Sequence, residues 1–174
     1  MTISEPMKRF IIRWGEMGTR WGINRTIAQI HGLLFISEYP LNAEDITMIL
    51  DVARSNVSTG LKELMNWGLV KSVHKAGDRR DHFEAIKDIW EVSTLILDQR
   101  KKQEIDPTIN LLKECLSEYE TKTSRSENLY TKKKLKEMLS FFETMAGWYS
   151  QVRKMPVAKV LNFINLGKHF KGFK

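Results

Sequence analysis

The chain has 174 residues, of which 42% are hydrophobic and 10% aromatic; it is too apolar for a disordered polymer and long enough for one compact unit or two small lobes. No apolar run approaches the roughly 18 residues needed to span a bilayer, MTISEPMKRF has no apolar core of signal-peptide length, and the single Cys115 cannot close an intramolecular disulfide, so a reducing cytoplasm is the expected compartment. The formal charge of +7 points to an acidic partner, yet residues 153–174 supply six of those charges, and residues 24–85 hold seven Lys and Arg against eight Asp and Glu.

In chain order, Met7, Phe10, Trp14 and Met17 recur at helical spacing from Pro6 to Thr19, and Gly15, Gly18 and Gly22 predict a first helix with a soft end. Ile23, Ile27, Ile30 and Leu34 define a second helix, closed by Tyr39-Pro40 because the residue before proline is pushed towards an extended conformation. Asn42 with Asp45 three residues on predicts the start of a short third helix running to about Leu50. The fourth covers 54–67 and stops at Gly68, the usual place for a left-handed residue. Two short helices separated by Asp51, Val52 and Ala53 form a helix-turn-helix pattern. KSVHK and HFEA then read as two short strands joined through Gly77-Asp78, a two-stranded hairpin serving as a wing. From Ile86 the helical pattern returns, ending near Asp106-Pro107. A further helix follows through Leu112 and Leu116, then a polar link at 122–128, then a long helix through Leu135, Phe142 and Tyr149 that Pro156 interrupts. Val157, Val160, Leu161, Ile164 and Phe170 give the basic end an amphipathic character, suited to partner-helix or dimer packing or, more plainly, to a solubilising tail.

The expected fold is therefore mainly α with a small β-hairpin wing. Residues 1–22 form an N-terminal helix, 23–85 a winged helix-turn-helix, and 86–174 a linker helix and C-terminal helical region with a basic tail.

The fourth helix carries the main functional signal. In ARSNVSTGLKEL, Val57, Leu61 and Leu64 turn inwards, which leaves Ser55, Asn56, Thr59 and Lys62 outwards with Ser58 on the flank and Arg54 in the first turn. Ser, Asn and Thr are poor helix formers, so their clustering on an exposed face asks for a reason beyond solvation. A groove-inserted helix gives one: Arg54 can take guanine bidentately, Asn56 can take adenine, and Ser, Thr and Lys contact phosphates. The plainer reading is a solvated helix of low propensity. Ala53 stands where Ser, Thr, Asp or Asn would cap the helix, and a DNA phosphate could supply the missing acceptor. Arg79 and Arg80 at the expected hairpin tip, with Lys75 near the base, are candidates for minor-groove or phosphate contact, against the alternative of a surface ion-pair cluster with Asp78 and Asp81.

The four histidines and Cys115 match no metal-ligand spacing, and Cys115 lies on an apolar stripe as a small hydrophobe would. No nucleophile with an adjacent base and no phosphate-cradling glycine loop occurs, so neither an enzyme nor a cofactor is expected. The five tryptophans read first as core and interface anchors, and second as walls of an aromatic cage for a quaternary ammonium ligand.

This arrangement resembles the MarR-type winged helix-turn-helix regulators, and more closely their GbsR branch, regulators of glycine betaine synthesis genes. The residues carrying the resemblance are VSTGLKEL at 57–64, WGLV at 67–70, GDRRDHFEA at 77–85, Lys87-Asp88 and EIDP at 104–107. They span about the first two thirds of the chain, whereas the last third resembles the family only in helical character. Ala53 departs from the Ser common before such a recognition helix. The resemblance implies a homodimeric transcription factor, usually a repressor, with N- and C-terminal dimerisation helices and a double-stranded DNA operator. Arg54, Ser55, Asn56, Ser58, Thr59 and Lys62 then fall on the recognition helix, and Arg79 and Arg80 on the wing. It also implies a small, choline-like cationic effector, for which Trp14, Trp21 and Trp90 are the candidate walls. The rival reading is a winged helix used for protein interaction without DNA.

Overall fold

The computed structural model describes residues 3–121, 129–160 and 162, and the chain divides into two compact units, Met1–Ile96 and Leu97–Lys174. In the first unit, α1 (Glu5–Arg20) is continuous, so the expected soft end is not there. Gly15 and Gly18 are buried where α1 meets α2 (Arg25–Ile36): a Cβ on Gly18 would lie 2.4 Å from Ala28 Cβ, and one on Gly15 2.6 Å from Gln29 Cγ. Each glycine costs the helix about 1 kcal/mol relative to alanine, offset by the close approach it permits. Asn24 caps α2 by accepting from the Thr26 and Ile27 amides.

Leu41–Asn42 form β1, and Asn42 also caps α3 (Ala43–Leu50), accepting from the Glu44 and Asp45 amides at 2.9 Å each. Asp51 ends α3 in the left-handed region, with φ 51°. α4 (Arg54–Asn66) follows after Val52-Ala53, and Gly68 closes it at φ 73°. Its inward face, Val57, Leu61 and Leu64, joins Ile27, Ile30, Leu33 and Ile46 in the core. Each such side chain contributes roughly 1.5–3 kcal/mol on burial, enough to fix which side of α4 meets solvent. Gly60 is buried too, since a Cβ there would sit 2.7 Å from Ile30 Cδ1.

The wing is β2 (Val70–Lys75) and β3 (Asp78–Ala85), joined at Ala76-Gly77 rather than Gly77-Asp78. β1 pairs along the other side of β3, so the expected two-stranded hairpin is a three-stranded antiparallel sheet of order β1-β3-β2. A two-residue strand whose partner lies forty residues away leaves no local periodicity to read. The β2–β3 register slips between Val73↔His82 and Lys75↔Asp78, leaving Arg79, Arg80 and Asp81 opposite His74 as a bulge. After the wing, Lys87 Nζ donates to the carbonyls of Leu34, Phe35 and Ser37 at 2.7, 3.1 and 2.6 Å, a cation on the negative end of α2. Asp88 then caps α5 (Ile89–Arg100) through the Trp90 and Glu91 amides.

The helical path expected to end near Asp106-Pro107 continues through it. A π-helical turn, Lys101–Ile105, runs directly into α6 (Asp106–Thr121), with the Asp106 amide donating to the Lys101 carbonyl. Pro107 has no amide to donate, and the wider turn takes up the missing bond. In the second unit α6 packs against α7 (Leu129–Val152), with Lys113 paired to Glu143 at 2.8 Å. α7 ends before Pro156, as expected, and a helical turn follows at 157–160. The predicted link at 122–128 and most of the basic end, including Ile164 and Phe170, lie outside the described residues. No helix among the described residues is long and apolar enough to cross a membrane.

Candidate nucleic-acid interface

Arg54, Ser55, Asn56, Ser58, Thr59 and Lys62 are all exposed, on the side of α4 opposite its buried residues. Ala53 is extended, at φ −61° and ψ 141°, and gives α4 no side-chain cap. The Asn56 and Val57 amides turn to the Ala53 carbonyl, in contrast to the side-chain caps of α2 and α3.

The bulge in β3 decides where the wing arginines go. Asp78 accepts from the Arg80 amide at 3.0 Å and from its guanidinium at Nε (2.9 Å) and NH2 (2.6 Å). That guanidinium holds the Asp78 carboxyl far below the usual carboxylate range, and Arg80 is raised in turn. Beneath them His82 is buried, its Nδ1–H donating to the Arg80 carbonyl at 2.9 Å. Arg80 NH1 reaches across to Glu44 Oε2 in the first turn of α3 at 3.1 Å, and Glu44 Oε1 meets Arg54 NH1 of α4 at 3.5 Å. Asn42, Glu44, Arg54, Arg79, Arg80 and Asp81 line a surface concavity of about 270 Å³.

Three of the sequence-derived candidates, Arg54, Arg79 and Arg80, thus share one concavity. Arg79 is exposed and forms no ion pair among the described residues, whereas Arg80 is tied on both sides. Lys75 lies at the turn end of β2, in register with Asp78, not near the base of the wing. Glu44 is the residue that sequence reasoning passed over: an acid in a first helical turn looks like an ordinary response to the helix dipole, and only the folded chain shows the two arginines it joins.

Of the tryptophans, Trp14 stacks on His31 and donates from Nε1 to its Nδ1 at 3.3 Å. This bond assigns the ring proton to Nε2, which is buried with no partner among the described residues. Burial, with Lys87 nearby, pushes the His31 pKa down to about 4. Trp14 and Trp21 line an apolar cavity of about 40 Å³ with Met17, Ile27, His31 and Trp67, well short of the roughly 300 Å³ usual for a small-molecule site. A neighbouring concavity of about 260 Å³ is bounded by Phe10, Trp14, Trp21, Arg13 and Arg20. Trp90 lines neither of them. Among the described residues no three His, Cys, Asp or Glu gather as a metal site.

The sequence profile of the MarR family matches residues 21–81, the span from the end of α1 to the bulge of the wing. The winged module is similar to the MarR family over that span. Arg54, Glu44, Arg79 and Arg80 all fall inside the matched span, and α5 to α7 fall outside it. The chain is similar to the HTH-type transcriptional repressor GbsR of Bacillus subtilis (strain 168), with 22% identity over 95 residues, 55% of this chain and 52% of that protein. The match thus spans about half the length of that curated relative. A solved structure described as the crystal structure of a transcriptional regulator is 16% identical, covers 85% of this chain and 95% of its own, and superposes with a TM-score of 0.65. That likeness is one of fold.

Proposed function

We propose that the chain is a sequence-specific, double-stranded DNA-binding transcriptional regulator, a homodimeric repressor of the GbsR branch acting in the cytoplasm. The observation that carries the reading is the exposed face of α4: six polar side chains, Arg54 to Lys62, opposite a fully buried apolar face and beside two wing arginines. In this reading Arg54 and Asn56 meet base edges, Ser55, Ser58, Thr59 and Lys62 meet base edges or phosphates, and Arg79, Arg80 and Lys75 meet the flanking backbone or minor groove. The repressor named among its relatives supports the same reading.

An exposed apolar stripe supports the homodimer. On α7, Met138, Phe141, Met145 and Trp148 are exposed at alternating spacings of three and four, an apolar stripe of the kind a partner helix covers. A choline-like effector has weaker support: the concavity beside Trp14 and Trp21 carries Arg13 and Arg20, which oppose a cation.

Selection of genomic fragments by the purified protein, followed by duplex binding over increasing salt, tests the proposal. A specific shift whose affinity falls steeply with salt is expected. Binding indifferent to salt, or no selected fragment, would favour a protein-interaction module instead. Added choline is expected to leave the complex intact.

A further inference from the structure

We infer that Glu44 is an electrostatic latch that occupies, in the free protein, the position a DNA phosphate takes in the complex. The inference rests on the DNA-binding reading and adds to it a residue that opposes binding. Glu44 spans two elements with its two oxygens, Oε1 to Arg54 on α4 and Oε2 to Arg80 on β3. A phosphodiester offers the same pair of anionic oxygens to the same donors.

The geometry also says which contact gives way. Asp78 takes the Nε and NH2 side of Arg80, with a second bond to the Arg80 amide, so it orients that side chain from within its own strand. Glu44 takes only NH1, end-on, and it is the one carboxylate paired with Arg54 among the described residues. Side chains of Glu44, Arg80 and Arg54 remain 47%, 52% and 72% exposed, so these pairs are screened and separate readily. Glu44 does not need them to be comfortable, because the N-terminal turn of α3 already favours an anion. A phosphate arriving at the concavity can therefore replace the Glu44 carboxylate on both arginines while Asp78 keeps Arg80 aimed. Until it leaves, Glu44 repels that phosphate.

The test is Glu44→Gln, which keeps the shape and the Asn42 cap of α3, measured with a labelled mixed-sequence duplex across a salt series. Wild-type protein is the reference, and Glu38→Gln, the same charge change at an exposed site outside the cluster, is the control. Glu44→Gln should bind about threefold to tenfold more tightly at low salt, the gain shrinking as the screening length falls, while Glu38→Gln stays near wild type. Unchanged or weaker binding by Glu44→Gln, or an equal gain in Glu38→Gln, overturns the latch and leaves the DNA reading standing. If the wild-type protein binds no duplex at low salt, both fall. Side-chain NMR of the wild-type protein gives a readout independent of any variant: on adding duplex, the Arg54 and Arg80 guanidinium signals and the Glu44 carboxyl signal should all move. A stationary Glu44 signal overturns the proposal.

Discussion

α4 and α7 each expose a face that a solvated helix would not select, and the two faces differ in kind. On α4 the exposed side sets Ser, Asn and Thr, short polar groups that weaken a free helix, between Arg54 and Lys62. On α7 it is Met138, Phe141, Met145 and Trp148, large apolar groups left in water beside Leu135, Leu139 and Phe142, which are half-buried. A surface of short polar groups suits a polar partner read through hydrogen bonds, and an apolar stripe suits another protein. On the proposed reading one unit meets nucleic acid and the other a second copy, and each half of that proposal can be broken separately.

The largest effect is expected on α7. Phe141→Asp combined with Trp148→Asp places charges at two positions that are 60% and 53% exposed, so the fold of the single chain should tolerate them. Light scattering should show a monomer. Duplex affinity should fall about a hundredfold or more, because the second module no longer binds as part of the same molecule. A double variant that stays dimeric and binds duplex normally would remove the role given to the stripe.

Changes on α4 should give the opposite pattern. Arg54→Ala and Asn56→Ala each remove a candidate base contact and should cost about 1–3 kcal/mol of affinity for the selected fragment, with dimer mass and melting temperature unchanged. Equal losses on unrelated duplexes would make them phosphate contacts and move sequence reading elsewhere on the helix.

A pH series separates the two units by stability. His31, buried under α1, is held neutral with its pKa down at about 4 against an ordinary 6.5, so the unfolded chain binds the extra proton between those values. Stability from His31 is therefore complete above about pH 6.5 and is lost as the pH falls towards about 4, by roughly 2 kcal/mol at about pH 5. In the second unit the sign reverses. Burial, with the hydrogen bond to Asp98, pushes Tyr149 up to about 12, so its contribution is lost as the pH rises from its ordinary 10 through that value. Denaturant unfolding of wild type and His31→Gln checks the acid limb: the variant should lose most of the slope, and an unchanged slope would place the proton elsewhere.

How much of this was legible in the sequence depends on how far apart the interacting residues lie. The helices, the Asn42 cap, the uncapped Ala53 and the left-handed Gly68 were readable because each rests on neighbours within one turn. β1, the Lys87 contacts to α2 and the Glu44 link between wing and helix were not, since their partners lie tens of residues away. The glycines were misread for a related reason. Gly15 and Gly18 carry the same local penalty in a broken helix and in a tight crossing, and only α2 distinguishes the cases. In the candidate site, the exposed face of α4 was legible from its periodicity, while the aim of Arg80 depended on a bulge that no alternation announces.

The smallest expected effect is the most local. Ala53 sits at the N-cap of α4 in extended geometry, already shaped for a capping residue, yet supplies no side-chain acceptor. Ala53→Ser should therefore stabilise the free protein by about 1 kcal/mol, visible as a rise in melting temperature of a few degrees. Its effect on DNA is the sharper question. If the start of α4 approaches a phosphate, the uncapped amides are part of that contact, and a serine hydroxyl accepting from one of them competes with the phosphate. The variant should then melt higher and bind duplex slightly less tightly, a trade that a solvated helix end would not make. A gain in stability with unchanged affinity would turn the start of α4 away from the backbone and leave Arg54 to reach it alone.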